Sequence, residues 1–433
     1  MSTNPNNSNS ELSSTLIKVS VRLLPVLFLS YICAYLDRIN VGFAAKHLKE
    51  ELGFSDSVYG LGAGIFFIGY ALFEIPSNVL LEKVGARRWI ARIMVSWGIL
   101  SAAMVFVNSS ITFYVLRFML GVAEAGFFPG IILYLTYWFP ATERGKCISR
   151  FMTAIPLSGL IGAPISGALL DMNGTLNIAG WKWMFLLEAL PSILMGFYVF
   201  LFLPDGPETC RWLNESEKNL LKNFGQERDD SHQTSGWSSF FTVIISPQVW
   251  HICMIYFFQV TGLYGIGLWL PEILRNSSET MSEKQLGLLS ALPFLAGTIS
   301  MVYWGWNSDR LQERKWHLVA ANLLGGIGFV IAGLHPNYLA FSLGGMILAS
   351  MGVHATFGPF WALKTTLLAP GLAAVGIALI NSTGNLGGFT GPSLTGYLKE
   401  RTGSLSWGLG LYGSTSLIAA FLTMYLPIKK IGK

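Results

Sequence analysis

Four ionisable residues stand in stretches that are otherwise apolar: Asp37 and Arg38 in the string YLDRINVGFA, and Arg117 and Glu124 in RFMLGVAEAGFFPG. A charge held at mid-membrane costs at least about 2.5–3.5 kcal/mol on insertion scales, so such residues mark sites of function or tight pairing. Arg117 and Glu124 are seven residues apart. On a helix that is about two turns, which puts both on one face roughly 10 Å apart along the axis. Asp37 and Arg38 are adjacent, so their side chains diverge and each needs a partner of its own. Burial and a neighbouring guanidinium act in opposite directions on a carboxylate, so such a group can load and release a proton as its surroundings change. Arginine stays charged and offers a planar fork that fits a carboxylate through two contacts. An incoming organic anion would compete for that fork and loosen its hold on Asp37 or Glu124. Anion and proton binding are then linked without any enzymatic step. The plainer alternative is two structural ion pairs that lock helices together.

Further polar residues fall where a cavity would need them. Tyr70 could donate a phenolic hydrogen bond to a ligand, or be an ordinary packing tyrosine. Asn381 and Asn385 are four apart, hence on one helical face, and amides are costly against lipid. Trp361 is either a stacking surface for a ligand or one of many interfacial tryptophans. His354 is either a relay or ligand contact, or a buried structural histidine. Glu74 and Glu188 read as structural or latch residues. The spacing of Gly408, Gly410 and Gly413 is that of a dinucleotide loop, but it lies inside an apolar segment with no strand before it. A Walker lysine motif, a catalytic triad and a metal-ligand cluster are missing from the sequence, so no cofactor, no metal and no enzyme activity are expected.

The elements that position these residues follow from composition. The 433 residues are 52% hydrophobic and only 12% charged, about half the charge of a soluble domain. Cut at its polar breaks, the chain gives twelve runs near the ~20 residues that span a bilayer core. They cover 19–45, 57–81, 89–107, 111–138, 148–170, 184–203, 248–270, 285–305, 317–334, 338–363, 373–397 and 406–427. The expected fold is therefore an all-α membrane protein with twelve transmembrane helices. Residues 1–18 are Asn/Ser-rich and are expected to form a disordered tail, with a second tail at 428–433. Residues 204–247 form a polar linker with a short amphipathic helix around 214–224, which leaves a six-helix bundle at 19–203 and another at 248–427.

Of the 29 Lys and Arg residues, twenty fall in one set of loops and seven in the opposite set: Lys46, Lys49, Lys182, Arg275, Lys284, Lys399 and Arg401. The other two are Arg38 and Arg117. The positive-inside rule puts the richer set, and both termini, in the cytoplasm. The charge of +5 is thus a topology signal and not a nucleic-acid one.

The halves repeat one another. Glu82, Lys83, Arg87 and Arg88 after the second run correspond to Asp309, Arg310 and Arg314 after the eighth, at an offset of 227. Pro164 in GLIGAPISG corresponds to Pro392 in GGFTGPSLTG at 228, and Pro129 and Pro140 correspond to Pro359 and Pro370 at 230. Repeated halves are a hallmark of secondary transporters. These loop charges, the Gly/Pro signatures and the strings YLDRINVGFA, FEIPSN and RFMLGVAEAGFFPG resemble the major facilitator superfamily. Within it they are similar to the anion:cation symporters, especially permeases for tartrate, rhamnonate and 4-hydroxyphenylacetate. The resemblance covers nearly the whole chain apart from the tail and much of the linker. One departure is that Asn78, Glu82 and Lys83 stand where the family usually has Gly and Asp-Arg; the charge signs are kept.

The resemblance implies that Asp37 and Glu124 match the family's proton-carrying carboxylates, and that Arg38 and Arg117 match its substrate-binding arginines. Asn381 matches a family asparagine, and the paired loop charges form a conformational latch. It also implies a multi-pass protein of the bacterial inner membrane, a monomer, whose partners are a small organic anion, protons and the lipid bilayer. The expected activity is proton-coupled uptake of a small carboxylate by alternating access. Few long polar side chains near Pro156 favour a short hydroxy acid such as tartrate, or an aromatic hydroxy acid, over a long aldonate. Aromatic hydroxy acids and sugar acids remain alternatives, as does a channel or anion sensor that kept the fold.

Overall fold

The computed structural model describes residues 5–222, 242–278, 280–367 and 370–427. Among these residues every regular element is helical. The first half contains α1 (Pro5–Ile39), α2 (Val41–Leu52), α3 (Asp56–Val84), α4 (Ala86–Ala103), α5 (Ser110–Glu124), α6 (Phe127–Thr136), α7 (Ala141–Met152), α8 (Ala154–Leu170) and α9 (Gly180–Phe202). The second contains α10 (Pro247–Asn276), α11 (Glu283–Leu311), α12 (Lys315–Leu334), α13 (Leu339–Ala355), α14 (Phe357–Leu367), α15 (Pro370–Thr402) and α16 (Ser406–Met424).

Eleven described segments are long and apolar enough to cross a bilayer, and α15, 33 residues long, supplies the twelfth long helical segment. Four of the twelve expected runs are not single helices. The first divides into α1 and α2, the fourth into α5 and α6, the fifth into α7 and α8, and the tenth into α13 and α14. Two of these breaks repeat between the halves. Gly126 separates α5 from α6 and Thr356 separates α13 from α14, an offset of 230 that matches the sequence repeat. At Gly126 the backbone takes φ +84°, a conformation open to glycine at little cost.

Helix formation also begins earlier than expected. Residues 5–18, expected in a disordered tail, are the start of α1. Polar residues here extend the apolar helix because they find partners. Lys18 Nζ donates to Glu217 at 2.8 Å, and Ser216 donates to Glu11 at 3.0 Å. Those partners belong to a helix over 215–222 in the connecting segment, within the short linker helix expected there. The tail residues 1–4 and 428–433 and the linker residues 223–241 lie outside the described residues.

The halves meet along two seams of small residues. Between α3 and α15, a Cβ built on Gly60 would sit 2.6 Å from the Pro392 carbonyl oxygen. Between α8 and α11, one built on Gly287 would sit 2.5 Å from the Ala163 carbonyl oxygen. Only glycine allows backbones this close. Charges close the same end of the molecule. Lys49 lies 2.6 Å from Asp56 and 2.8 Å from Glu272, and Lys399 lies 3.0 and 2.7 Å from the same two carboxylates. Both lysines come from the sparser set of loop charges, so that end is the outer one in the expected topology.

Candidate functional site

Arg38 is the penultimate residue of α1, two residues before the turn at Asn40, and it is buried. Its Nη2 pairs directly with Oε1 of Glu124 on α5, and its Nη1 donates to the Tyr264 hydroxyl on α10 at 2.6 Å. One guanidinium thus joins two helices of the first half to one of the second. Aromatic rings surround it: Phe66, Tyr70, Tyr35 and Tyr264 lie with centroids 5.3, 5.4, 5.7 and 5.9 Å from its central carbon. The rings stabilise the cation through their faces while leaving few competing acceptors. Its Nε has no hydrogen-bond partner, so one donor edge is unspent.

Asp37 points the other way, as adjacency on a helix requires. Its carboxylate accepts from Trp97 Nε1 at 3.1 Å and Ser101 at 2.8 Å, both on α4, and from Ser192 on α9 at 2.5 Å. These neutral donors tie α1, α4 and α9 together, and Asp37 is only 1% exposed. Neither structural ion pair between the two helices in the plainer reading includes Asp37; only Arg38 and Glu124 form a direct pair.

Arg117 is fully buried and lies along α3, where its Nε and Nη2 donate to the Gly62 and Ala63 carbonyls at 3.3 and 3.1 Å. Its Nη1 has no partner, and the charge of Glu124 is close enough to act on it. The two residues do share a helix face, as their spacing requires, but in this conformation Glu124 is bonded to Arg38.

A second polar group bridges the halves. Glu74 on α3 accepts from Asn381 Nδ2 at 2.6 Å through Oε1 and from Asn385 Nδ2 at 3.4 Å through Oε2. The two amides do share a face and do point inward, but their partner is a carboxylate of the opposite half. Small residues beside them admit the rings that line the site: Gly384 packs under Tyr256, and Gly388 under Phe67 and Tyr264.

The family model described as Major Facilitator Superfamily matches residues 27–392 and 252–431. The chain belongs to the major facilitator superfamily. It is therefore a multi-pass membrane transporter and not an enzyme. A protein of Agrobacterium vitis named "Putative tartrate transporter" is 44% identical over 420 residues, covering 96% of each chain. The Pseudomonas putida protein named "Putative metabolite transport protein NicT" is 40% identical over 96% of this chain and 95% of its own. Among solved structures, an inward open conformation of the xylose transporter XylE from E. coli matches with a TM-score of 0.74. It covers 96% of this chain and 98% of that one at 16% identity, a likeness of fold.

Within the superfamily fold the remaining candidates sit in different places. Trp361 on α14 packs edge-on against Tyr256 at 5.3 Å and near Phe128 of the first half at 6.4 Å. His354 is fully buried in α13, with Nδ1 2.8 Å from the Ser350 carbonyl, and it faces Gly297 of α11. The loop charges make local contacts. Arg87 reaches Asp205 through its backbone N–H at 3.0 Å and its Nε at 3.5 Å, and Asp309 pairs with Arg314 at 2.6 Å. Arg310 lies over the Trp306 ring, while Glu82, Lys83 and Arg88 are exposed.

Five participants were not read from the sequence as part of the site. Tyr264 lies in an apolar run with nothing to distinguish it from packing tyrosines. Trp97, Ser101 and Ser192 are neutral side chains on α4 and α9 that no sequence pattern links to Asp37. Glu74 did have a signal, a carboxylate in the string FEIPSN, but its position near a helix end suggested a latch.

Proposed function

We propose that this transporter is a proton-coupled symporter that takes up a small organic carboxylate, a short hydroxy acid such as tartrate, by alternating access at the bacterial inner membrane with both termini cytoplasmic. The observation that carries the reading is the Arg38 guanidinium, shared between Glu124 of the first half and Tyr264 of the second. A substrate carboxylate that takes the Arg38 fork displaces Glu124, and a buried carboxylate deprived of its cation is costly unless neutralised. A proton supplies that neutralisation, so anion and proton enter together. Arg117, through its unspent Nη1, serves as the second guanidinium, taking either the far end of the anion or Glu124. Asp37 is the second coupling carboxylate, reached when α1 moves against α4 and α9. Tyr70 and Trp361 bound the ligand, Asn381 and Asn385 hydrogen-bond it from the second half, and the loop charges at 82–88 and 309–314 act as the latch. The Agrobacterium relative's name supports the substrate class.

Calorimetric titration of the purified protein with tartrate, in two buffers of different ionisation enthalpy, tests this reading. Binding that takes up protons supports it; binding with no net proton exchange at any pH rejects the coupling. The four rings around Arg38 favour a second reading, an aromatic hydroxy acid. A competition series in which 4-hydroxyphenylacetate displaces tartrate at lower concentration would select it.

A further inference from the structure

Glu74 takes no part in the coupling described above, yet it is a 3%-exposed carboxylate at the interface between the halves. Along α3 it lies eighteen residues from Asp56, about 27 Å at 1.5 Å per residue. The outer part of the α3–α15 seam is held by Gly60, Gly64 and Gly396 at near-contact backbone distance and by Lys399 on Asp56. Far from that end, Asn381 and Asn385 bond α15 to Glu74 of α3. Each amide gives one N–H to a different oxygen, so a fully ionised carboxylate satisfies both. A protonated carboxyl keeps one good acceptor and gains a donor, and cannot hold both amides equally. The surrounding groups are few: Arg38 on α1 and the two amides on α15 act on Glu74, Tyr70 lies one turn away on its own helix, and Tyr256 approaches from α10. Glu124 on α5 is already held by Arg38.

We propose that Glu74 is a further proton-binding site, whose charge state decides whether Asn381 and Asn385 stay tied to α3 or are released to the substrate. Ionised Glu74 and a substrate carboxylate are rival acceptors for the same amide donors. Protonation of Glu74 frees the amides and loosens the seam away from its glycine-packed end, which links proton binding both to anion binding and to the relative motion of the halves. The substrate half of this inference rests on the carboxylate reading above; the seam half does not.

The test separates the two. Spin labels at Val84→Cys and Leu311→Cys report the distance between the halves at the end away from Asp56, without substrate, across pH 5–9. The distance distribution of the otherwise wild-type protein shifts with pH, and Glu74→Gln removes that shift. Should Glu74→Gln fold poorly, Asn381→Ala tests the same bond from the other side and is expected to give the pH-insensitive, loosened distribution. A pH shift that survives unchanged in both variants overturns the inference. In a second arm, tartrate affinity at pH 8 rises at least threefold in Glu74→Gln, because the rival acceptor has lost its charge. An unchanged or weakened affinity, with the wild type binding normally, overturns the rivalry while leaving the proposed function intact. If the wild type binds no carboxylate at any pH, that function fails, and the label distances alone decide the proton site.

Discussion

Arg38 and Glu124 are paired in the interior, and each lies two residues from a break in its own helix, at Asn40 and Gly126. The pair therefore sits beside an interruption in each of two helices. A change in its occupancy is expected to reach the segments on either side, α2 and α6, which would give the proposed coupling its route to helix movement.

Glu124→Gln removes the charge that the Arg38 fork holds while keeping the size of the side chain. Exchange of substrate across the membrane is expected to persist, and accumulation driven by a proton gradient is expected to be lost. Parallel counterflow and gradient-driven uptake assays check this; a variant that still concentrates substrate normally removes Glu124 from the coupling.

Arg38→Lys keeps the charge but loses the planar fork that reaches Glu124 and Tyr264 together. Substrate affinity should fall at least tenfold. Arg38→Ala should also cost about 3–5 kcal/mol of stability, because Glu124 is left buried without a counter-charge. Ligand titration and thermal unfolding in detergent measure the two effects separately.

Arg117→Ala is expected to abolish binding and transport. Its guanidinium joins α5 to the Gly62 and Ala63 carbonyls of α3, so its removal also takes away two buried hydrogen bonds between these helices and should lower the unfolding temperature. Wild-type affinity with only reduced stability would make Arg117 a structural residue.

Gly60 tests the seam. A Cβ there meets the Pro392 carbonyl oxygen at 2.6 Å, so Gly60→Val cannot close the outer end of α3 against α15. The variant should rest with that end open and transport less than a tenth of the wild-type rate. Labelling of a cysteine placed beside Lys399 should become faster than in the parent protein; unchanged labelling would mean the seam does not move.

Much of this was legible in the sequence for a physical reason: lipid excludes charge, so charge spacing marks both spans and site. Twelve long segments and the Arg38–Glu124 neighbourhood follow from that, whereas the offset of 227–230 between halves was read from loop charges together with repeated Gly/Pro signatures. Asn381 and Asn385 were also readable as inward-facing, since two amides on one face need partners. Their partner was not readable, because Glu74 lies 307 residues before Asn381 and only the packing of halves brings them together. The breaks at Asn40 and Thr356 were hidden because hydropathy does not change across them and the backbone keeps helical angles at both residues. The outcome for Asp37 came from serines and a tryptophan on other helices, which no local pattern links to it.

Uptake of labelled tartrate by proteoliposomes, with an inward proton gradient imposed and then collapsed, and with sodium replaced by choline throughout, addresses the coupling of anion to proton directly. Accumulation above equilibrium that follows the proton gradient and ignores the sodium replacement is the expected result. Entry that only equilibrates, or that needs sodium, would contradict it.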